Sequence, residues 1–185
     1  MPSIDVVVKL GGGTAPGSAA FSRALDAIAD AATRARLLVV PGGGSLADSV
    51  RELDRRVALS SDAAHWMAVL AMDQYAWLIA DKLPRAIVVD REEAIADALR
   101  ASRIPVVAAF RWLQTTDPLP HSWDVTSDSI AAWIACAVGA RKLVLVKPPG
   151  ASGSAIVDPH FAAALTPGVG VTIVSSDRVT AADMA

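Results

Sequence analysis

The chain has 185 residues, enough for one domain with a sizeable core, and it reads as a single unit over 1–185. Hydrophobic residues make up 53% and charged residues 19%, so part of the surface is expected to be buried in a homo-oligomer, at least a dimer. A net charge of −2 offers no broad basic field for nucleic acid, and no uncharged apolar run reaches the roughly 18 residues of a membrane span.

In chain order, the opening "MPSIDVVVKLGGG" has no basic stretch ahead of an apolar one, so a cytoplasmic protein is expected. "IDVVVKL" (4–10) is a short β-branched run that fits a strand, and it leads through Lys9 into Gly11, Gly12 and Gly13. A helical pattern follows over 18–35. The strand "RLLVVP" (36–41) leads into Gly42, Gly43 and Gly44 and then a helix over 45–57. A long helical pattern covers 61–82, followed by the strand "AIVVD" (86–90), a helix over 91–102 and the strand "IPVVAAF" (104–110). A helix over 126–139, the strand "KLVLVK" (142–147) and the strand "VTIVSS" (171–176) complete the chain.

None of these strands alternates strictly, as expected where both faces of a sheet are covered. The alternation of elements predicts an α/β fold: a single domain with a mainly parallel central sheet flanked by helices. Ligands of such sheets collect beyond the carboxyl ends of the strands. Both triple-glycine segments fall there, each between a strand and a helix, an arrangement suited to two phosphate groups. The spacing fits neither the Walker nor the dinucleotide fingerprint. Transfer between two phosphates needs lysines, oriented N–H donors and a metal, and Mg2+ is the expected ion, bound mainly through phosphate oxygens. Asp124 and Asp128, four apart at the front of the 126–139 helix, are candidates either to meet that ion or to orient Lys9. The single Cys136 reads as a small core residue, and His65, His121 and His160 are too scattered for a metal cluster.

On the 61–82 helix, Asp62, His65, Trp66, Val69 and Asp73 fall on one broad face at 100° per residue, the expected acceptor side. Arg51, with Arg55 and Arg56, also fits an ordinary solvated helix face.

"VVKLGGG", "VVPGGGSLADSVR" and "SWDVTSDSIAAWIA" resemble the amino acid kinase family, from residue 4 to about 147. That resemblance implies ATP-dependent phosphorylation of a small phosphomonoester to a diphosphate. Lys9 would neutralise the transferring phosphoryl group, with backbone donors from Gly11 and Gly12. Gly13 stands where relatives commonly have serine, and Thr14 or Ser18 are candidates to replace its hydroxyl. Gly42, Gly43 and Gly44 would receive the acceptor's phosphate. Asp128 would organise the catalytic lysines, Asp124 stands where many relatives have asparagine, and Ser127 joins the phosphate-binding set. The late lysine used by many relatives for ATP is missing, and Lys147 is the candidate second cation.

"AHWMAVLAMDQYA" and "PHSWDVTSDSIA" resemble more narrowly a branch whose acceptor is a small phosphorylated amine, an aminomethylfuran phosphate used in building methanofuran-type cofactors. On that resemblance His65 would contact the acceptor phosphate, with Arg51 as a rival. Asp73 or Asp48 would pair with the ammonium, with Asp62 adding negative charge to that face. Trp66 or Tyr75 would lie against the ring, and Trp123 and His121 would close over the acceptor. Uridylate or isopentenyl phosphate as acceptor, or a non-catalytic nucleotide-binding protein of the same fold, are the alternatives.

Overall fold

The computed structural model describes residues 4–151 and 156–185. Among them, six strands run parallel in one sheet: β1 (Val6–Leu10), β2 (Leu37–Pro41), β3 (Ala86–Val89), β4 (Ile104–Val107), β5 (Lys142–Lys147) and β6 (Gly170–Ser175). Their order is β3-β4-β2-β1-β5-β6. The helices are α1 (Ala19–Ala31), α2 (Gly44–Val57), α3 (Ser61–Lys82), α4 (Glu92–Arg100), α5 (Phe110–Thr116), α6 (Ser127–Ala137) and α7 (Phe161–Ala164). The expected helix-flanked parallel sheet is what forms. The chain builds outward from β1 first on one side and then on the other, so the crevice of an α/β sheet falls at the carboxyl ends of β1 and its neighbours.

Side chains alternate across each strand, and in β1, β2, β4 and β5 both sets are buried. Val7, Leu38, Leu143 and Leu145 join a core with Ile130, Ile134 and Ala135 of α6. Val6, Val8, Leu37, Val144 and Val146 join a second core with Phe21, Leu25 and Ile28 of α1. The continuous apolar runs of the sequence follow from this double burial. Helix α3 serves both sides, with Val69 and Met72 in the first core and Ala76 and Ile79 in the second.

Two boundaries differ in an informative way. The expected strand over 104–110 ends at Val107: the Ala108 N–H donates the last bond to Val89 O, and Phe110 begins α5. An unbroken apolar run hides that corner because Ala108 and Ala109 are as buried as the strand itself. The helix expected from 126 begins at Ser127, with Thr126 as its N-cap. Among the described residues no helix is long and apolar enough to cross a membrane.

Candidate active site

Lys9 lies two residues beyond Val7, so it faces α6; by the same parity Lys147 follows Leu145 on the matching face of β5. The first turn of α6 brings Asp128 to both. Lys9 Nζ lies 2.8 Å from Asp128 Oδ1, and Lys147 Nζ donates to Oδ2 at 2.5 Å. All three side chains are buried. Burial pushes the Asp128 pKa up, but the charges of Lys9 and Lys147 outweigh it and hold the carboxyl below its usual range. Burial pushes Lys9 down by more than Asp128 restores, and the neighbouring Lys147 charge adds to the fall. Two ammonium groups share the Asp128 carboxylate out of water, and the Asp158 carboxylate also bears on Lys9. An ammonium has three donors. Lys147 spends one on Asp128 and Lys9 pairs with the same carboxylate, and among the described residues neither ammonium has another ion-pair partner.

The front of α6 is fixed by a residue far along the chain. Asp158 Oδ2 accepts the Thr126 N–H at 2.9 Å, the Thr126 hydroxyl at 2.7 Å and the Ser129 N–H at 3.0 Å, while Oδ1 accepts the Ser129 hydroxyl. A carboxylate here satisfies orphan N–H groups at the positive end of a helix. Thr126 and Asp158 together do the capping, and the Asp128 carboxylate is left to the lysines.

The two glycine segments meet at the same edge. A Cβ on Gly12 would lie 2.2 Å from the Gly44 nitrogen, and one on Gly42 would lie 2.3 Å from the Gly12 nitrogen. Only glycine lets these backbones approach so closely. Tyr75 supports the second loop from beneath: its hydroxyl accepts the Ser45 N–H at 3.3 Å, and Gly44, at φ +52°, leaves room for the ring. Gly12, Gly13, Gly43 and Gly44 form one wall of a cleft of about 370 Å³. Ala64, Ala68, Val69, Met72 and Ile130 give it an apolar floor; Asp48, Arg51, Asp54, His65, Trp123 and Ser127 are its polar and aromatic lining. The ion cluster adjoins this cleft along the chain: Lys9 precedes the first glycine loop, and Asp128 lies between the lining residues Ser127 and Ile130. Among the described residues no side chain caps α2, whose N-terminus opens on the cleft beside the loops. Such a terminus favours an anion.

The Amino acid kinase family profile matches residues 6–148. The chain belongs to the amino acid kinase family. A relative in that family, the [5-(aminomethyl)furan-3-yl]methyl phosphate kinase of Methanocaldococcus jannaschii, is 26% identical over 142 residues, which cover 75% of this chain and 63% of the relative. Among solved structures, uridylate kinase from Archaeoglobus fulgidus superposes with a TM-score of 0.58 at 20% identity, covering 78% of this chain and 63% of that one. UMP kinase from Ureaplasma parvum gives a TM-score of 0.55 at 14% identity, covering 80% of this chain and 68% of that one. These two likenesses show the fold. The chain thus spans just under two thirds of the length of the Methanocaldococcus relative and of the Archaeoglobus structure.

In this amino acid kinase chain the structure brings together Lys9, Asp128 and Lys147, and lines one cleft with Gly12, Gly13, Gly43, Gly44, Asp48, Arg51, His65 and Ser127. Other candidates fall elsewhere. Asp124 precedes α6, so the helical four-residue spacing does not apply; its side chain is exposed and away from Asp128's lysines. Gly11 and Gly42 extend the sheet: the Gly11 N–H donates to Val146 O and the Gly42 N–H to Leu10 O, both at 2.8 Å, so neither is a spare donor. Ser18 is spent as the N-cap of α1, accepting the Phe21 N–H. Thr14 is buried with a hydroxyl that has no partner among the described residues.

The cleft face of α3 is rotated from the expected one. Ser61, Ala64, His65, Ala68, Val69 and Met72 line the cleft, whereas Asp62, Trp66 and Asp73 turn to the flank. Asp62 binds His121 Nδ1 at 2.6 Å, and Asp117 binds Nε2 at 2.9 Å. Trp66 packs edge-on against His65, His121 and Phe110. Tyr75 lies under the glycine loop and does not line the cleft. His65 stacks on His121 at 4.2 Å; burial and the His121 charge push its pKa down to about 4, which leaves a neutral imidazole at pH 7.

Asp73 is half-buried and accepts the Phe110 N–H at 3.2 Å, at the start of α5. Burial raises its pKa to about 6 against the backbone bonds that oppose the rise. A raised carboxyl pKa means stability that is present when the group is protonated and lost as pH climbs through about 6. Asp73→Asn is therefore expected to gain in melting temperature relative to the wild type at pH 7, and that gain should shrink by pH 4. A gain that stays constant with pH would show that Asp73 is already ionised at no cost.

Two residues escape a reading of the sequence alone: Asp158 has no local signal, and Asp54 sits in a charged helix that reads as solvated surface. Trp123, expected to close over the acceptor, lines the cleft. Trp123 Nε1 donates to Asp54 Oδ2 at 2.7 Å, and the Arg51 guanidinium lies 4.6 Å from the Trp123 ring centre. A tryptophan shortly before a capped helix is the one signal that marks this wall in advance.

Proposed function

We propose that the chain transfers the γ-phosphoryl group of Mg–ATP to the phosphate of a small phosphomonoester, forming a diphosphate. The observation that carries this reading is the buried Lys9–Asp128–Lys147 cluster, two lysines on one carboxylate at the strand ends that lead into and flank two touching glycine loops. An acceptor phosphate oxygen forms the new bond to phosphorus and the bond to the ADP oxygen breaks. No protein base is required, because a phosphate is already anionic at neutral pH. Lys9 and Lys147 offer their remaining donors to the charge that spreads over the transferring oxygens, and Asp128 holds both in place. Asp128 gives both oxygens to lysines, so Mg2+ is read as part of the ATP substrate, where it screens the phosphate charge. The N–H groups of Gly12 and Gly13, with the Thr14 hydroxyl, serve the ATP side. Gly43, Gly44 and the open end of α2 serve the acceptor phosphate, with neutral His65 beside them.

The acceptor we propose is [5-(aminomethyl)furan-3-yl]methyl phosphate, on the strength of the Methanocaldococcus relative and of a small cleft with an apolar floor and an aromatic wall. Homo-oligomerisation is proposed as well. Trp77 is 68% exposed on α3 with Leu70 nearby, and each edge strand shows an apolar side chain, Ile87 and Ile173. Steady-state assays with Mg–ATP and three acceptors test the substrate. The aminomethylfuran phosphate is expected to exceed uridylate and isopentenyl phosphate by at least about tenfold in kcat/KM, a difference of about 1.4 kcal/mol. Preference for either of the others would overturn the acceptor and leave phosphotransfer standing.

A further inference from the structure

We infer that Asp54 selects a cationic group on the acceptor, an assignment that rests on the phosphotransfer reading above. Gly44, Ala47, Asp48, Arg51 and Asp54 line the cleft at the three-and-four spacing of one helix face. That face begins at an uncapped N-terminus suited to an anion and ends at a carboxylate. Asp54 is half-buried. Its Oδ1 accepts the Leu59 N–H at 2.9 Å and its Oδ2 the Trp123 indole N–H at 2.7 Å. Both donors are neutral, and among the described residues no lysine, arginine or histidine pairs with Asp54. Arg51, one turn earlier, bonds to Asp48 and lies over Trp123. A half-buried carboxylate that faces a cleft without a counter-ion favours a ligand cation.

Asp48 does not offer the same site. Its side chain is 73% exposed and its charge is met by Arg51 at 3.1 Å. Length separates the two further. From Gly44, Asp48 lies about 6 Å along the helix axis and Asp54 about 15 Å. Helical side chains lean toward the N-terminus, which shortens the second distance by a few ångströms. A ring with a phosphate on one arm and an ammonium on the other spans about 8 Å, and about 3 Å of contact at each end brings its reach to about 14 Å. That reach matches Asp54 and overshoots Asp48.

The test compares kcat/KM for [5-(aminomethyl)furan-3-yl]methyl phosphate with that for the same phosphate bearing a methyl group in place of the aminomethyl group. The wild type is expected to favour the amine by at least about tenfold, and Asp54→Asn to bring the ratio near one, while Asp48→Asn keeps it. Asp54→Ser, which retains an oxygen for the Leu59 N–H, is expected to give the same collapse if the amide variant does not fold. A ratio that survives at Asp54 overturns the assignment while the kinase reading stands. A ratio that collapses at Asp48 instead moves the cation site there and overturns it equally. A wild type that phosphorylates neither furan overturns the acceptor reading itself, and Asp54's role with it.

Discussion

Lys9→Ala is expected to lower kcat by about 10³-fold or more while the chain melts close to the wild-type temperature. The first half follows from position. Lys9 stands at the carboxyl end of a central strand, paired with Asp128 and with no other ion-pair partner among the described residues. A buried cation aimed at developing charge acts mostly in the transition state, and 10³-fold is about 4 kcal/mol. The second half follows from charge balance. Removing one lysine leaves Asp128 and Lys147 as a one-to-one pair, so no charge is stranded. A cavity remains beside Asp128, where water is expected to enter. Steady-state kcat at saturating Mg–ATP and acceptor, with a thermal melt of the same preparation, checks both halves. Near-normal turnover from a folded variant would remove Lys9 from the mechanism.

Asp128→Asn is expected to lose both activity and stability. Asparagine keeps the size and some capping ability of aspartate, and sequence alone suggests that the helix would tolerate it. The structure reverses that expectation. The amide would be neutral between two buried lysines whose only ion-pair partner among the described residues is the carboxylate it replaces. Breaking such a cluster by removing one partner costs about 3–5 kcal/mol, because the remaining charge is uncompensated. Denaturant midpoints and kcat are to be measured together. Bound phosphate or ATP is expected to restore part of the midpoint, since an anion supplies the missing counter-charge. An Asp128→Asn variant as stable as the wild type would show that the lysines do not depend on the carboxylate.

The sheet was legible in the sequence because its strands are short, β-branched and buried on both faces, and because glycine-rich turns marked their ends. Lys9 and Lys147 could be placed near those ends, and strand parity then fixes their common face. Their meeting on Asp128 could not be read from spacing, since it depends on β1 and β5 being neighbours in the sheet. Asp124 misled for a local reason. The helix begins at Ser127, close to the expected start, and leaves Asp124 outside it, because Thr126 and the distant Asp158 set its start. The α3 face misled by about one residue. Its overall apolarity let several stripes fit, and packing against α2 decided which one lines the cleft. Asp54 was hidden among the charges of α2 until Trp123, 69 residues away, came to lie on it.

Phosphorus NMR of the product, followed in time with the wild type and with Lys9→Ala and Lys147→Ala, tests most directly whether this cluster transfers a phosphoryl group between two phosphates. With Mg–ATP and [5-(aminomethyl)furan-3-yl]methyl phosphate, the wild type is expected to convert the single monoester resonance into the coupled pair of a diphosphate, one equivalent per ADP formed, and both lysine variants to leave the monoester unchanged on the same timescale. Release of free phosphate from ATP with the monoester intact, or diphosphate formation that persists in both lysine variants, would contradict it.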